Sequence, residues 1–177
     1  TKYKGVRVGG LADMTMFSFH PVKTITTGEG GIITTNNKEY YSRLISFRSH
    51  CITRKIDQLE NKNAGGWYYE QMDLGFNYRM TDFQAALGIS QLKKIDRFIS
   101  RRKKIVEKYN EAFKNLDGII LKENAAFSDT VNHLYVLKLD LDKLNADRRE
   151  IYDALIAENI GVNVHYIPVY FHPYYII

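Results

Sequence analysis

The stretch Phe17-Ser18-Phe19-His20-Pro21-Val22-Lys23-Thr24-Ile25-Thr26-Thr27-Gly28-Glu29-Gly30-Gly31 decides how this chain is read. Its lysine follows an apolar, strand-like run, with Ser18 five residues before it and a turn of hydroxyls and glycines after it. Lysine forms imines as the free amine, yet its ordinary pKa is ~10.4, so a reactive lysine must be desolvated or set beside other cations. The Ser18 hydroxyl can donate to a phosphate oxygen. Thr26, Thr27 and the glycines can add hydroxyls or backbone N–H groups in an anion-cradling turn. The chemistry that unites these features is a Schiff base between Lys23 and pyridoxal phosphate. A surface lysine before a plain hairpin turn explains the same bare residues equally well.

Working outward, Met14 to Phe19 is short and apolar enough to be a buried strand, and Gly31 to Thr35 is a second, β-branched one. Asn37 suits a helix N-cap, with Tyr40, Leu44 and Phe47 on one face of the helix it opens. From His50 to Asp73 the chain is polar and without sustained periodicity, and so long a segment is more often functional or mobile than idle. Thr81 and Gln84 have capping-box spacing. The helix they start carries Leu92, Ile95, Ile99, Val106, Tyr109, Phe113 and Leu116 along one face. Its other side bears Lys93, Lys94, Arg97 and Arg101 to Lys104, which reads as a solvated face. Beyond Asp117-Gly118, Ile119 to Leu121 and His133 to Leu139 look like strands. Arg148 to Asn159 looks like an amphipathic helix with Gly161 as its C-cap, and Val162 to Val169 returns as an extended segment. Strand, helix and strand there suggest a second, smaller α/β unit.

The 177 residues are 45% hydrophobic and 25% charged, the balance of a soluble globular protein with one or two domains. No apolar run approaches the ~20 residues of a membrane helix, and Thr1 to Gly10 has no signal-peptide core. Cys51 alone makes no internal disulfide, so a reducing, cytoplasmic setting is the default. Both ends look cut, as in an internal piece of a longer protein. The net charge of +5 suits either a polyanion or a small phosphorylated ligand. A basic nucleic-acid-binding module built on Arg101 to Lys104 and the tyrosines is therefore the alternative from another class, and a folded but catalytically silent fragment is a third.

His20, His50, His133, His165 and His172 show no metal-ligand spacing, so no metal site is expected. Phosphate-loop, dinucleotide and serine-hydrolase motifs are missing as well. Asn77 stands just before the capped helix and serves either as a turn residue or as a donor aimed at an anion. Arg79 suits a carboxylate or a phosphate partner. His165, beside Asn163 and Tyr166, is by default a structural histidine on an apolar strand.

Three blocks, Phe17 to Gly31, Gly75 to Leu92 and Val164 to Pro173, together resemble the sugar aminotransferases of the DegT/DnrJ/StrS family. These are pyridoxal-phosphate enzymes of the aspartate-aminotransferase (type I) fold. The resemblance implies an α/β chain holding the C-terminal part of the large cofactor domain with its long linking helix (1–116) and part of the small α/β domain (117–177). It implies that Lys23 forms the imine with pyridoxal phosphate and shuttles protons, and that Ser18 binds the cofactor phosphate. It implies that Asn77 reaches the phosphate of a neighbouring subunit, so that a homodimer shares its active sites. Asn163, Val164, His165 and Tyr166 align with a segment that contacts the nucleotide-sugar substrate.

Within the family, Phe47 to His50 and Trp67 to Gln71 most resemble the branch that aminates a UDP-linked 4-keto-6-deoxy hexose with L-glutamate in pseudaminic acid synthesis. Enzymes making other 3- or 4-amino sugars, on dTDP or GDP, share most of these blocks. Lys23 argues against the dehydratase branch, which has histidine there. Cys51 departs from the pattern by standing where glycine is expected, which strains the turn if it needs a positive φ. The resemblance also places the aspartate that pairs with the pyridine nitrogen before Thr1. The 177 residues alone are thus expected to bind cofactor poorly and to be inactive.

Overall fold

The computed structural model describes residues 1–176. Among the described residues, nine short strands and four α-helices follow one another. The strands are β1 (Lys2–Tyr3), β2 (Val6–Arg7), β3 (Thr15–Ser18), β4 (Gly31–Thr34), β5 (Ile52–Thr53), β6 (Glu70–Gln71), β7 (Ile119–Ile120), β8 (Ser128–Asp129) and β9 (Lys138–Leu139). The helices are α1 (Lys38–Phe47), α2 (Asp82–Leu92), α3 (Ile95–Phe113) and α4 (Arg148–Ala157). The chain divides into two compact units, Thr1–Glu107 with Asn124–Tyr135, and Lys108–Glu123 with Val136–Ile177.

In the first unit, β3 and β4 form an antiparallel hairpin in which Ser18 pairs with Gly31. β5 pairs with β6, and β1 lies between β2 and β8. The expectation that the first strand is buried does not hold: Met16 is 74% exposed and the whole of Met16 to Ser18 faces solvent. Among the described residues β3 pairs only with β4, and the short turn Val8–Gly10 packs beside it without burying it. The buried side chains among the described residues lie instead in the turn and the loop beyond α1, at Ile25, Thr27, Cys51 and Leu59.

Local signals did form the helices. Asn37 Oδ1 accepts from the N–H groups of Glu39 and Tyr40, satisfying two of the orphan donors of α1. Thr81 and Gln84 close a reciprocal capping box on α2. The single long helix expected from Thr81 is broken at Lys93-Lys94, where the Lys94 N–H turns back to the Gln91 carbonyl and α3 starts afresh. The basic side is also less idle than a solvated face. Arg102 and Lys103 are half-buried, and they tie down the segment 124–135 through the His133 carbonyl (3.3 Å) and Asp129 (2.7 Å).

In the second unit β7 pairs with β9, and Asp147 caps α4 reciprocally with Glu150. The helix stops at Asn159 rather than Gly161. Asn159 has φ 60°, and the N–H groups of Asn159 and Ile160 return to the carbonyls of Ile156 and Leu155, a Schellman closure. Two expected strands are shorter than the sequence suggested. His133 to Leu139 contributes only Lys138–Leu139 to a ladder, and residues 162–168 join none among the described residues.

Candidate active site

The turn between β3 and β4 presents Lys23. Its backbone N–H donates to the His20 carbonyl (2.9 Å), which fixes the turn just past the strand. The hydroxyls that looked free to bind phosphate are committed to the turn itself. Thr26 Oγ1 donates to the Phe19 carbonyl (2.9 Å) and accepts from the Gly28 N–H (2.9 Å). Thr27, only 3% exposed, donates to the Glu29 carbonyl (2.8 Å). These two threonines shape the loop.

The helix α2 braces this turn from the side. Gln84 donates its side-chain amide to the Glu29 carbonyl (2.9 Å). Gly88 faces Thr27 so closely that a β-carbon there would lie 3.0 Å from the Thr27 methyl. Glycine is a poor helix former, so its place inside α2 answers to this approach.

What the turn leaves available is an amine and a hydroxyl. Lys23 is half-buried, and its Nζ stands 3.4 Å from His133 Nε2. Ser18 ends β3, exposed, and its Oγ accepts from the His20 N–H at 3.3 Å. His20 lies 3.9 Å from the Glu29 carboxylate. The donor set therefore fits part of a phosphate-bearing aldehyde: an amine that can bond to it, and beside it a hydroxyl with a proton to give. His133 is the member that sequence reasoning missed. It lies 110 residues from Lys23, and nothing in its local pattern sets it apart from the other histidines.

Asn77 is held elsewhere in the first unit. It forms an isolated antiparallel bridge with Ser49, and its Oδ1 accepts from Arg79 Nε (2.9 Å). Arg79 thus bonds to an amide, and no carboxylate pairs with it among the described residues. The bridge belongs to a tight crossing of two backbones. The N–H groups of His50 and Phe76 donate to the carbonyls of Phe76 and Phe47 at 2.9 and 2.7 Å. A β-carbon on Gly75 would lie 2.3 Å from the Cys51 nitrogen, so only glycine fits there. Cys51 has φ 51° and His50 φ 62°, so the turn is the left-handed one that makes cysteine unusual in this place.

The polar segment after it is organised by one carboxylate. Glu70 accepts from the N–H groups of Glu60 (2.6 Å) and Asn61 (2.9 Å). Those bonds, with one from Tyr68, hold its carboxyl below the usual carboxylate range, while the same bond pushes the Tyr68 phenol up. Trp67 is 79% exposed on this loop.

Asn163, Val164, His165 and Tyr166 belong to the second unit. All four are exposed, Tyr166 at 71%, and the rings of His165 and Tyr166 lie 3.7 Å apart. Among the described residues no group of three or more His, Cys, Asp or Glu could hold a metal ion. Among them, too, no helix is long and apolar enough to cross a membrane.

A lysine and a serine five residues apart on one hairpin become decisive beside the match to a family model. The description of that model is the DegT/DnrJ/EryC1/StrS aminotransferase family, and residues 1–176 match it. The chain belongs to this family. It is 41% identical over 174 residues to the uncharacterised protein MJ1066 of Methanocaldococcus jannaschii, covering 98% of this chain and 45% of that protein. It is 38% identical over 175 residues to the UDP-4-amino-4,6-dideoxy-N-acetyl-beta-L-altrosamine transaminase of Campylobacter jejuni, covering 99% of the chain and 44% of the transaminase. Among solved structures, the PLP-form of Spr1654 from Streptococcus pneumoniae superposes with a TM-score of 0.82 at 31% identity, over 98% of this chain and 43% of that one. The fold is thus part of the type I fold of the DegT/DnrJ/EryC1/StrS aminotransferases. The chain spans about 45% of the length of the curated relatives it matches.

Proposed function

We propose that this chain carries the lysine-bearing part of an aminotransferase that moves an amino group from L-glutamate to a nucleotide-linked 4-keto-6-deoxy sugar, with pyridoxal phosphate as cofactor. UDP is the favoured nucleotide, on the likeness to the Campylobacter jejuni transaminase. The observation that carries the reading is Lys23, half-buried on the braced turn after β3, with Ser18 at the strand end.

When bound, pyridoxal phosphate supplies an aldehyde that joins amines and a ring that draws electrons from the carbon being deprotonated. The chain's own residues do the rest. Lys23 offers the amine that holds the cofactor and, once displaced by the incoming amino donor, the base that takes and returns a proton at Nζ. The Ser18 hydroxyl donates to the phosphate. Asn77 spends its Oδ1 on Arg79, which leaves its N–H groups for an anion, and a phosphate of a second subunit in a homodimer is the anion proposed. Asn163 to Tyr166 offer polar edges and an exposed aromatic face, suited to a sugar diphosphate.

The test compares wild type with Lys23→Ala in the protein as it is encoded. Turnover is followed with UDP-, dTDP- and GDP-linked keto sugars and glutamate, and borohydride is used to fix pyridoxal phosphate onto lysine. Wild type is expected to carry the fixed label on Lys23 and to turn over one of the sugars, and Lys23→Ala to do neither. Normal turnover by Lys23→Ala would sink the reading.

A further inference from the structure

A side chain that meets the Lys23 amine comes from a distant part of the sequence. His133 Nε2 lies 3.4 Å from Lys23 Nζ, and the segment that delivers it is fastened at several points. β8 pairs with β1, so that Ser128 and Asp129 are fixed against Tyr3 and Lys2. Lys103 holds Asp129 at 2.7 Å, an ion pair that lowers the Asp129 carboxyl below its usual range. Tyr3 meets Phe127 edge to face at 5.2 Å. Asn132 takes a left-handed turn (φ 49°) with its N–H on Thr130 Oγ1, and Arg102 holds the His133 carbonyl at 3.3 Å. The imidazole is thus placed by backbone ladder, ion pair and turn together.

Proton bookkeeping sets what the contact does. An ammonium has three donors and no acceptor, and an imidazolium has only donors, so the contact needs one neutral partner. With Lys23 as the donor, the acceptor is the neutral imidazole tautomer that carries its proton on Nδ1 and leaves Nε2 bare. We propose that His133 is a positioning residue for Lys23: its neutral Nε2 accepts a hydrogen bond from Nζ and holds the amine where it meets the cofactor and, later, the substrate proton. This rests on the aminotransferase reading for its purpose but not for its geometry. Below the histidine pKa the pair becomes two cations. The ammonium of Lys23 is then disfavoured and a larger fraction of it is neutral than its intrinsic titration would give. Among the described residues, the charged groups seen on the two elements are Arg102, bonded to the His133 carbonyl, and His20 with Glu29 on the Lys23 turn.

The test reads the amine directly, without cofactor. Competitive acetylation of Lys23 in the native protein, quantified by mass spectrometry, gives its reactivity against pH. Wild type is expected to show a break below the ordinary histidine value of ~6.5, because the adjacent ammonium disfavours a second cation on the imidazole, with reactivity below the break about tenfold above the line extrapolated from high pH. His133→Ala is expected to give a straight line and His20→Ala to keep the break. A break that survives in His133→Ala, or one that vanishes only in His20→Ala, would overturn the proposal.

The protein with pyridoxal phosphate gives the second arm. His133→Ala is expected to lower kcat ten- to hundredfold with the sugar KM unchanged, and His133→Gln, which restores an acceptor, to recover part of it. Equal loss in both variants, or a loss confined to KM, would also overturn it. A protein that shows the acetylation break but no turnover with any nucleotide sugar would sink the aminotransferase reading while leaving the His133 contact standing.

Discussion

The turn that bears Lys23 and the segment that bears Asn163 to Tyr166 are built on opposite plans. Around Lys23 nearly every polar group is spent on structure: Thr26, Thr27, Gln84 and the His20 carbonyl all bond to the turn, and α2 closes on it at Gly88. Around Asn163 the chain is exposed, without regular secondary structure and outside any ladder of the described residues. The contrast separates two demands. An amine that must meet one atom repeatedly gains from a frame fixed before the ligand arrives, whereas a surface that meets a large polar ligand can adapt to it.

The sharpest way to break that comparison is at the amine. Lys23→Ala is expected to cost ~10²–10⁴-fold or more in turnover while leaving the melting temperature close to wild type, because the turn does not need the side chain to hold its shape. A collapse in stability would show that Lys23 belongs to the frame. Next in size is Tyr166→Ala, expected to raise the KM for the nucleotide sugar about tenfold, in line with the loss of one stacking face, with borohydride labelling of Lys23 intact. Lost labelling would mean that the two regions are not separable in function. Smaller still is Thr27→Val, which keeps the volume and deletes one hydrogen bond. About 1 kcal/mol should disappear from the urea-unfolding free energy, and the acetylation rate of Lys23 should become more like that of exposed lysines.

A third segment shows which plan a long polar loop follows. The depressed Glu70 carboxyl stabilises its loop fully above the ordinary glutamate pKa of ~4.3, and that contribution is lost as pH falls through the lower folded value. Amide exchange at Glu60 and Asn61 should thus be slow near neutrality, relative to Glu70→Gln, and should approach that variant in acid. Identical exchange in the two proteins at pH 7 would place the loop with the adaptable region.

The sequence made legible whatever rests on local chemistry. Asn37 and Thr81 with Gln84 were readable because a cap needs residues only two or three positions apart, and the Arg148 helix because its apolar residues recur on one face. Lys23 and Ser18 were readable because one hairpin carries both. Burial of the first strand was misjudged because an apolar run tells nothing of what will cover it, and β3 pairs only with β4 among the described residues. The roles of Thr26 and Thr27 were inverted, since a hydroxyl near glycines has the same pattern whether it faces a ligand or a carbonyl. Asn159 displaced Gly161 because asparagine also tolerates the left-handed turn. His133 was invisible for a plainer reason: its meaning comes from a contact that only the folded backbone makes.

The crossing at Gly75 has one more consequence. It seals Cys51, 2% exposed, between a carbonyl that receives the Met72 N–H and an N–H given to Ser46. A thiol shut in this way can be alkylated only when the two backbones part. The rate at which an added maleimide consumes Cys51 is therefore a clock for that opening. Because Asn77 bridges Ser49 in the same crossing, the clock also measures how often the chain lets go of the amide proposed to reach across a dimer.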